Sequence, residues 1–387
     1  MLSEWCRCVL SDIADVVDSL HQTPAYRSTG LPMVRVTDIK GGYLALDQSV
    51  KVDNQTFDLF VKNHKPQQGD IVISRVGSYG NFSYVATNEP FCLGQNTAII
   101  VPHINSRFLY YSLISNITKQ YIEKIVTGST QKTISLKDIK AIPVLLPERE
   151  EQEKISSVLT AIDEEIEINK KINDNLLQQA MTLFVHTFID DPPCGESRPL
   201  YDFADYINGA AFKQDDYSAS GLPIIKIAEL KNGITDSTQF FAGDKGEKYL
   251  IHDKDILFSW SGNPDTSIDI FIWASGDAIL NQHTFNVKSK EGFRWFVYLM
   301  LKYFKPQFTQ IASNKQTTGL GHVTATDLKR LTFIYDRDKI ASFEETIEPT
   351  MEMMFNNILE NRSLISLRDF LLPRLMSGEI DVSSVTA

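Results

Sequence analysis

The chain repeats itself once, and this duplication limits the folds that it can adopt. Five short motifs recur in the same order, each about 190 residues further along the chain. The matched segments are 11–15 with 201–205, 30–32 with 221–223, 69–74 with 254–259, 95–97 with 282–284, and 134–140 with 323–329. One such match would carry little weight, but five in the same order indicate two copies of one domain.

Each copy begins with a pattern typical of strands and ends with one typical of a long helix. It begins with short apolar stretches separated by Gly-rich and Asn-Gly turns, a pattern that predicts short strands. Residues 148–184 then contain no Gly or Pro and are rich in Glu, Lys, Ile and Leu, which predicts one long helix. The second copy changes in the same way near Asp336. We expect its helix to stop at Pro373, with a kink or a late start at Pro349.

Both predicted helices carry heptad spacing. The predicted seam residues are Ile155, Leu159, Ile162, Ile166, Asn169, Asn173, Leu176, Asn357, Asn361, Leu364 and Leu371. Asn169 and Asn357 occupy equivalent positions in the two copies, as do Asn173 and Asn361. Because a polar residue in a seam fixes register and partner, we expect the two helices to pack on one another as a coiled coil within one chain. The alternative is that each amphipathic helix covers only its own domain.

Composition excludes several classes of protein. The 387 residues are 43% hydrophobic and 22% charged, which is globular rather than disordered. The four cysteines form neither a disulfide framework nor a zinc-binding pattern. The first ten residues lack the apolar segment of a signal peptide, and the apolar run at 293–304 is too short and too charged to span a bilayer. We therefore expect a cytoplasmic protein without membrane association.

Net charge and missing motifs favour binding over catalysis. The 38 Lys and Arg residues against 49 Asp and Glu residues give a net charge of −11, which excludes a chain-wide basic surface but not a local one. There is no Gly-rich phosphate loop and no pair of histidines one helical turn apart. We therefore predict no catalytic residues and no metal site.

This plan resembles the specificity subunit of type I restriction–modification enzymes. The stretches that carry the resemblance are IPVLLPEREEQEKI at 142–155, DEEIEIN at 163–169, and LRDFLLPRLMSGEI at 367–380. Segments 69–71 and 128–134 also look like patterns of that family. The resemblance covers nearly the whole chain and is strongest in the helices.

The resemblance and the duplication together predict an α+β fold with two repeated target-recognition domains, separated by two long helices in an antiparallel coiled coil. We place the first target-recognition domain (the first head) at residues 1–147 and the first spacer helix region at 148–189. The second target-recognition domain (the second head) follows at 190–335. The second spacer helix region and the C-terminal tail occupy 336–387.

The resemblance also implies a function without an active site in this chain. Each head would read one half of a bipartite site in double-stranded DNA, and the helices would set the gap between the halves. Two methyltransferase (modification) subunits, which use S-adenosylmethionine to methylate adenine, would dock on the helices. Restriction (translocase and nuclease) subunits, which use ATP and Mg²⁺, would join them. The chain itself would bind no cofactor.

Base readout needs polar side chains on accessible loops. In the first head the candidates are Arg75, Ser78, Tyr79 and Asn81 after the strand at 69–74, and Ser129, Gln131 and Lys132 on a later loop. In the second head the candidates are Trp260, Ser261, Asn263, Lys315, Gln316 and Thr318. Acidic residues crowd the first spacer helix, so the basic and polar DNA-binding loops must lie in the heads.

Two other functions remain open from sequence. One is the DNA-recognition chain of a related methylation-based phage-defence system that lacks restriction subunits. The other is a protein-binding scaffold whose two heads grip a peptide. A fused methyltransferase is disfavoured, because the chain has no Gly-rich cofactor loop.

Overall fold

The chain forms two compact units. The computed structural model describes residues 5–126, 132–316 and 320–385. The first unit comprises Met1–Ile166 and Leu364–Ala387, and the second comprises Glu167–Ser363. Each unit therefore contains one head together with part of each long helix.

The first head mixes short strands and short helices. Its strands are β1 (Cys6–Val9), β2 (Ala14–Asp18), β3 (Leu31–Val34), β4 (Val50–Val52), β5 (Ile71–Ser74), β6 (Phe82–Tyr84), β7 (Cys92–Leu93), β8 (Thr97–Pro102) and β9 (Pro143–Leu146). Its helices are α1 (Leu10–Ile13), α2 (Asn54–Phe60), α3 (Ser106–Ile114), α4 (Asn116–Ile125) and α5 (Leu136–Lys140). The long helix α6 (Arg149–Val185) follows and ends in a π-helical turn at His186–Asp190.

The second head has a similar inventory. Its strands are β10 (Glu196–Pro199), β11 (Ala204–Asn208), β12 (Leu222–Ile225), β13 (Phe240–Phe241), β14 (Leu250–Ile251), β15 (Ile256–Ser259), β16 (Ser261–Gly262), β17 (Asp269–Ile272), β18 (Ala278–Leu280), β19 (Thr284–Ser289), β20 (Gly321–His322) and β21 (Thr332–Tyr335). Its helices are α7 (Ile227–Asn232), α8 (Pro264–Ser267), α9 (Arg294–Tyr303), α10 (Lys305–Asn314) and α11 (Ala325–Arg330). The long helix α12 (Arg337–Met376) completes the order.

Strand order confirms the duplication. The first head has an antiparallel sheet of order β2-β8-β5-β6, and the second head has β11-β19-β15-β17. A second sheet, β4-β3-β7, corresponds to β13-β12-β18, with a parallel pair in each copy. The inner strands β5 and β15 are buried along their whole length, which explains why both copies keep an apolar run there.

The repeated Gly-Leu-Pro motif is explained by the backbone conformation of its glycine. Gly30 and Gly221, which open the Gly-Leu-Pro motif in each copy, both have positive φ angles (133° and 121°). A Cβ atom would overlap the carbonyl oxygen of Val52 in the first case and of Phe241 in the second. Only glycine combines this backbone conformation with so close an approach. The motif therefore marks the same bend before β3 and β12.

The long helix α12 extends further than its prolines suggest. It starts at Arg337, so the late start at Pro349 is wrong, and it continues past Pro373 to Met376, so the stop at Pro373 is also wrong. Pro373 removes one amide donor, but its carbonyl still accepts from the Ser377 N–H at 3.1 Å. Leu372, Leu375 and Met376 are buried in the core of the first unit, and their burial offsets the lost hydrogen bond.

The long helices run antiparallel in both units, which confirms the predicted fold class. In the second unit the Asn169 side chain donates to Asn361 at 3.1 Å, and the Asn357 side chain donates to Asn173 at 2.9 Å. In the first unit Asp163 pairs with Arg368. Ile155, Leu159 and Ile166 are buried, whereas Ile162, Leu176, Leu364 and Leu371 are partly buried.

A carboxylate on a long helix fastens the head in each unit. In the first unit Asp163 of α6 accepts a hydrogen bond from the Tyr111 hydroxyl of α3 at 2.8 Å and pairs with Arg368 at 3.0 Å. Burial and the negative charge of Asp163 raise the pKa of Tyr111. In the second unit Glu344 of α12 accepts from the backbone N–H groups of Trp295 and Phe296 at 2.9 and 2.7 Å. Helix α9 has no side-chain cap of its own, so Glu344 supplies it.

Two features are absent from the described parts of the chain. No helix there combines the length and apolar character needed to cross a membrane. Within the same residues, no group of three or more His, Cys, Asp or Glu side chains is placed to hold a metal ion.

The asparagine seam predicts a non-additive pair of substitutions. Asn169→Leu should destabilise the chain by about 1–3 kcal/mol, because the polar groups of Glu360 and Asn361 lose a buried donor. Adding Asn361→Leu should recover much of this loss, since two apolar side chains then face each other. Urea unfolding of the wild type, both single variants and the double variant measures the coupling. Simple additivity of the two losses would contradict the pairing.

Candidate nucleic-acid interface

The excess negative charge lies on the helical regions rather than on the heads. Residues 1–147 contain 14 Lys and Arg against 12 Asp and Glu, and residues 190–335 contain 15 against 18. The helical regions 148–189 and 336–387 together contain 9 against 19. The heads are therefore nearly neutral and can approach a polyanion, whereas the helical regions repel it.

The structure brings together the two candidate segments of the first head. Val76 forms a β-bridge with Thr133, and the Gly77 N–H donates to the Lys132 carbonyl at 3.2 Å. We call the surface formed by residues 75–81 and 132–134 the first edge. Ser78, Asn81 and Lys132 are exposed on it, and Tyr79 is partly buried. Ser129 and Gln131 lie outside the described residues.

The second head builds the corresponding surface in the same way. Strand β16 pairs with β20, and the Val323 N–H donates to the Trp260 carbonyl at 2.9 Å. We call residues 260–263 and 321–323 the second edge. Ser261 is partly buried in β16, and Asn263 uses its side chain to cap α8. Gln316 is exposed nearby, and Thr318 lies outside the described residues.

The candidate Arg75 is engaged inside its own head. Its guanidinium pairs with Asp18 at 2.5 Å and donates to the Ile134 carbonyl at 3.2 Å. Only 12% of the side chain is exposed. Arg75 thus links β2 to the residues of the first edge, and its Nε and Nη1 donors are engaged within the head.

An equivalent but chemically different pair holds the second edge. The Trp260 indole N–H donates to the Asn208 side chain at 3.1 Å, and its ring stacks on Phe285. Asn208 ends β11 as Asp18 ends β2. In both heads the last residue of a strand thus contacts the first residue of the edge. The contact is an ion pair in the first head and an indole–amide hydrogen bond in the second.

Lys132 and Tyr79 form an exposed cluster with Glu123. The Lys132 ammonium donates to the Tyr79 hydroxyl at 3.1 Å, which raises the pKa of Lys132. The Tyr79 hydroxyl donates to Glu123 at 3.0 Å, and Lys132 lies 3.8 Å from Glu123. Both charged side chains are more than half exposed, so this ion pair is weak. Lys132 can exchange it for a phosphate.

Lys315 is held more firmly. It pairs with Asp327, which is 5% exposed and also accepts from the Thr324 backbone and hydroxyl at 2.7 Å. Burial alone would raise the pKa of Asp327, but the hydrogen bonds from Lys315 and Thr324 outweigh it and lower that pKa. If Lys315 bound a ligand instead, the buried Asp327 carboxylate would lose its ion pair, which is energetically unfavourable.

Sequence reasoning missed the positioning residues and part of the basic surface. Asp18 and Asn208 lie at matched positions in the two copies, but only the sheet order brings them next to Arg75 and Trp260. The exposed lysines of α4 and α5 were also missed. Their signal is the concentration of lysine in residues 119–140.

Comparisons with known proteins identify the family of this chain. The family model described as type I restriction modification DNA specificity domain matches residues 3–178 and 195–335. The type I restriction enzyme MjaIX specificity subunit of Methanocaldococcus jannaschii is 25% identical over 336 residues, which cover 78% of this chain and 76% of that protein. The HindI specificity subunit of Haemophilus influenzae is 23% identical over 406 residues, covering 81% and 87%.

A solved structure is similar in fold. The crystal structure of the type I restriction–modification system S subunit from M. genitalium superimposes with a TM-score of 0.53 at 16% identity, covering 96% of each chain. At this identity the likeness supports the fold and not the details of the edges.

The buried position of Arg75 predicts a structural effect of its removal. Arg75→Ala should lower the free energy of unfolding by about 1–3 kcal/mol, because Asp18 loses a charged partner. Ser78→Ala in the same turn is the matched control and should change it by less than about 0.5 kcal/mol, since Ser78 is exposed. Urea unfolding of the full chain measures both. Equal stability of the two variants would show that the Arg75 pair is dispensable.

Proposed function

Because the chain belongs to the type I restriction–modification DNA specificity family, we propose that it directs a DNA methyltransferase complex to a bipartite site in double-stranded DNA. Each head binds one half of the site through its edge. The chain contributes sequence readout and no catalytic group.

The observation that carries this proposal is the repetition of one edge in two chemical versions. Both heads join the turn after the inner strand to the later loop. The first edge exposes Ser78, Asn81 and Lys132. The second edge instead has the partly buried Trp260 ring beside Asn263, whose side-chain oxygen caps α8. Side chains of such different hydrogen-bonding character favour different base edges. The two halves of the site are therefore expected to differ in sequence.

The chemistry belongs to partner subunits in this proposal. Two methyltransferase subunits bind S-adenosylmethionine and methylate adenine, and restriction subunits supply ATP- and Mg²⁺-dependent translocation and cleavage. This chain then needs no cofactor of its own. We assign the assembled complex to the cytoplasm, where it meets DNA.

We propose that the methyltransferase subunits dock on α12. Leu367 and Phe370 lie one turn apart on this helix and are 46% and 55% exposed. The Arg374 guanidinium stacks over the Phe370 ring at 3.8 Å. Large apolar side chains bracketed by charge are typical of the central contacts in a protein interface.

Methylation mapping tests the function directly. The chain is expressed with its modification subunit in a host without DNA methylation, and the genome is sequenced for modified adenines. We expect a motif of two short halves separated by a fixed gap. Replacing residues 1–147 with the corresponding segment of the HindI specificity subunit should change one half only. An active, bound partner that leaves no motif would refute the proposal and favour the protein-binding scaffold.

Docking is tested by a pair of matched double variants. Leu367→Ser with Phe370→Ser should weaken co-purification of the modification subunit at least about tenfold, because two central apolar contacts are lost. Tyr26→Ser with Leu59→Ser is the control, since these side chains are 47% and 49% exposed on the first head. Equal retention of the partner by both double variants would place the docking surface elsewhere.

A further inference from the structure

Five exposed lysines lie on the first edge or on the two helices next to it. They are Lys119 and Lys124 on α4, Lys132 on the edge itself, and Lys137 and Lys140 on α5. The same stretch, 119–140, contains only two acidic residues, Glu123 and Asp138. The surface is therefore locally basic on a chain whose net charge is −11.

Most of these lysines have no acidic partner. Within the described residues, no carboxylate forms an ion pair with Lys119, Lys124, Lys137 or Lys140. The carboxylate of Asp138 is already used, because it accepts from the Ser135 hydroxyl at 2.6 Å and caps α5. Among the described residues, these four ammonium groups are exposed and have no ion pair to exchange for a ligand.

These lysines flank the edge. Glu123 of α4 accepts from Tyr79, and Gly80 packs against Ile122 of the same helix. Lys119 lies one turn before Glu123 and shares its side of α4. Helix α5 begins two residues beyond Ile134, whose N–H donates to the Arg75 carbonyl at 2.9 Å. Both helices are therefore fixed to the surface that reads bases in the proposed function.

The corresponding surface of the second head is built differently. Lys302 and Lys305 both bind Asp269, at 2.8 and 2.5 Å, and Lys315 binds Asp327. Lys329 and Arg330 at the end of α11 are exposed. At the second edge itself, Trp260 stacks on Phe285 and meets the edge of His283. Three of these five cations therefore form ion pairs within the head. At the second edge, aromatic rings occupy the place that charged side chains have at the first edge.

We propose that the phosphate-binding surface of this chain is concentrated on the first head, where Lys119, Lys124, Lys132, Lys137 and Lys140 contact the DNA backbone beside the first half-site. The second head binds with fewer phosphate contacts. This inference rests on the proposed function only in taking DNA as the partner. Because each phosphate contact releases condensed counterions, the two heads differ in salt dependence.

The test compares two triple variants of equal charge in the complex with the modification subunit. One carries Lys119→Gln, Lys124→Gln and Lys137→Gln. The control carries Lys213→Gln, Lys231→Gln and Lys248→Gln, three exposed lysines of the second head. Dissociation constants are measured from 50 to 300 mM KCl on a random-sequence duplex and on a duplex with the mapped site.

A plot of the logarithm of the association constant against the logarithm of the salt concentration has a negative slope, of about 0.9 per phosphate contact. The first-head variant should make this slope shallower by about 2–3. It should also weaken binding at least about tenfold at about 0.1 M salt. Both duplexes should lose affinity equally, because phosphate contacts carry no sequence information. The control should change the slope by less than about 1. Equal slope changes in the two variants would overturn the inference. Equal wild-type affinity for both duplexes would instead refute the proposed function, while the slopes on random DNA still decide the role of the lysines.

Discussion

A partnered carboxylate on a long helix fixes each head to its unit, and the placement of the edges depends on it. A carboxylate partly removed from water is stabilised when hydrogen bonds or an opposite charge compensate for the lost hydration. Asp163 meets this condition through Tyr111 and Arg368, and Glu344 meets it through two backbone N–H groups at the start of α9. Rotating either helix would break these contacts. The same contacts therefore orient the helix that packs against the strands of each head, α3 in the first and α9 in the second.

The features that sequence predicted are those that repeat or follow a period. The duplication appears in sequence as five ordered matches and in the structure as one strand order used twice. Heptad spacing located both long helices, and matched asparagines indicated that they pair. The antiparallel direction makes Asn169 meet Asn361 and Asn173 meet Asn357. The helical properties are encoded within a few turns and the duplication in direct sequence matches, which is why one sequence suffices to read both.

The features that sequence missed depend on contacts between distant residues. Arg75 has the donors expected of a base-reading side chain, yet the order β2-β8-β5 brings Asp18 beside it, where Asp18 accepts from one of them. Lys315 is engaged in the same way by Asp327. Helix α12 continues past Pro349 and Pro373 because apolar side chains around each proline are buried. Local propensity predicts a break at both positions, and tertiary packing overrides it.

The exchange of Arg75 and Asp18 in one head for Trp260 and Asn208 in the other has a consequence for how such edges diversify. A substitution of one residue of either pair leaves a charged group or an indole N–H without its hydrogen-bond partner. A change from one pair to the other by single substitutions therefore passes through proteins of lower stability. Whole-segment recombination carries both members together and avoids them. An engineered head that receives a new turn after β5 or β15 should therefore also receive the matching end of β2 or β11.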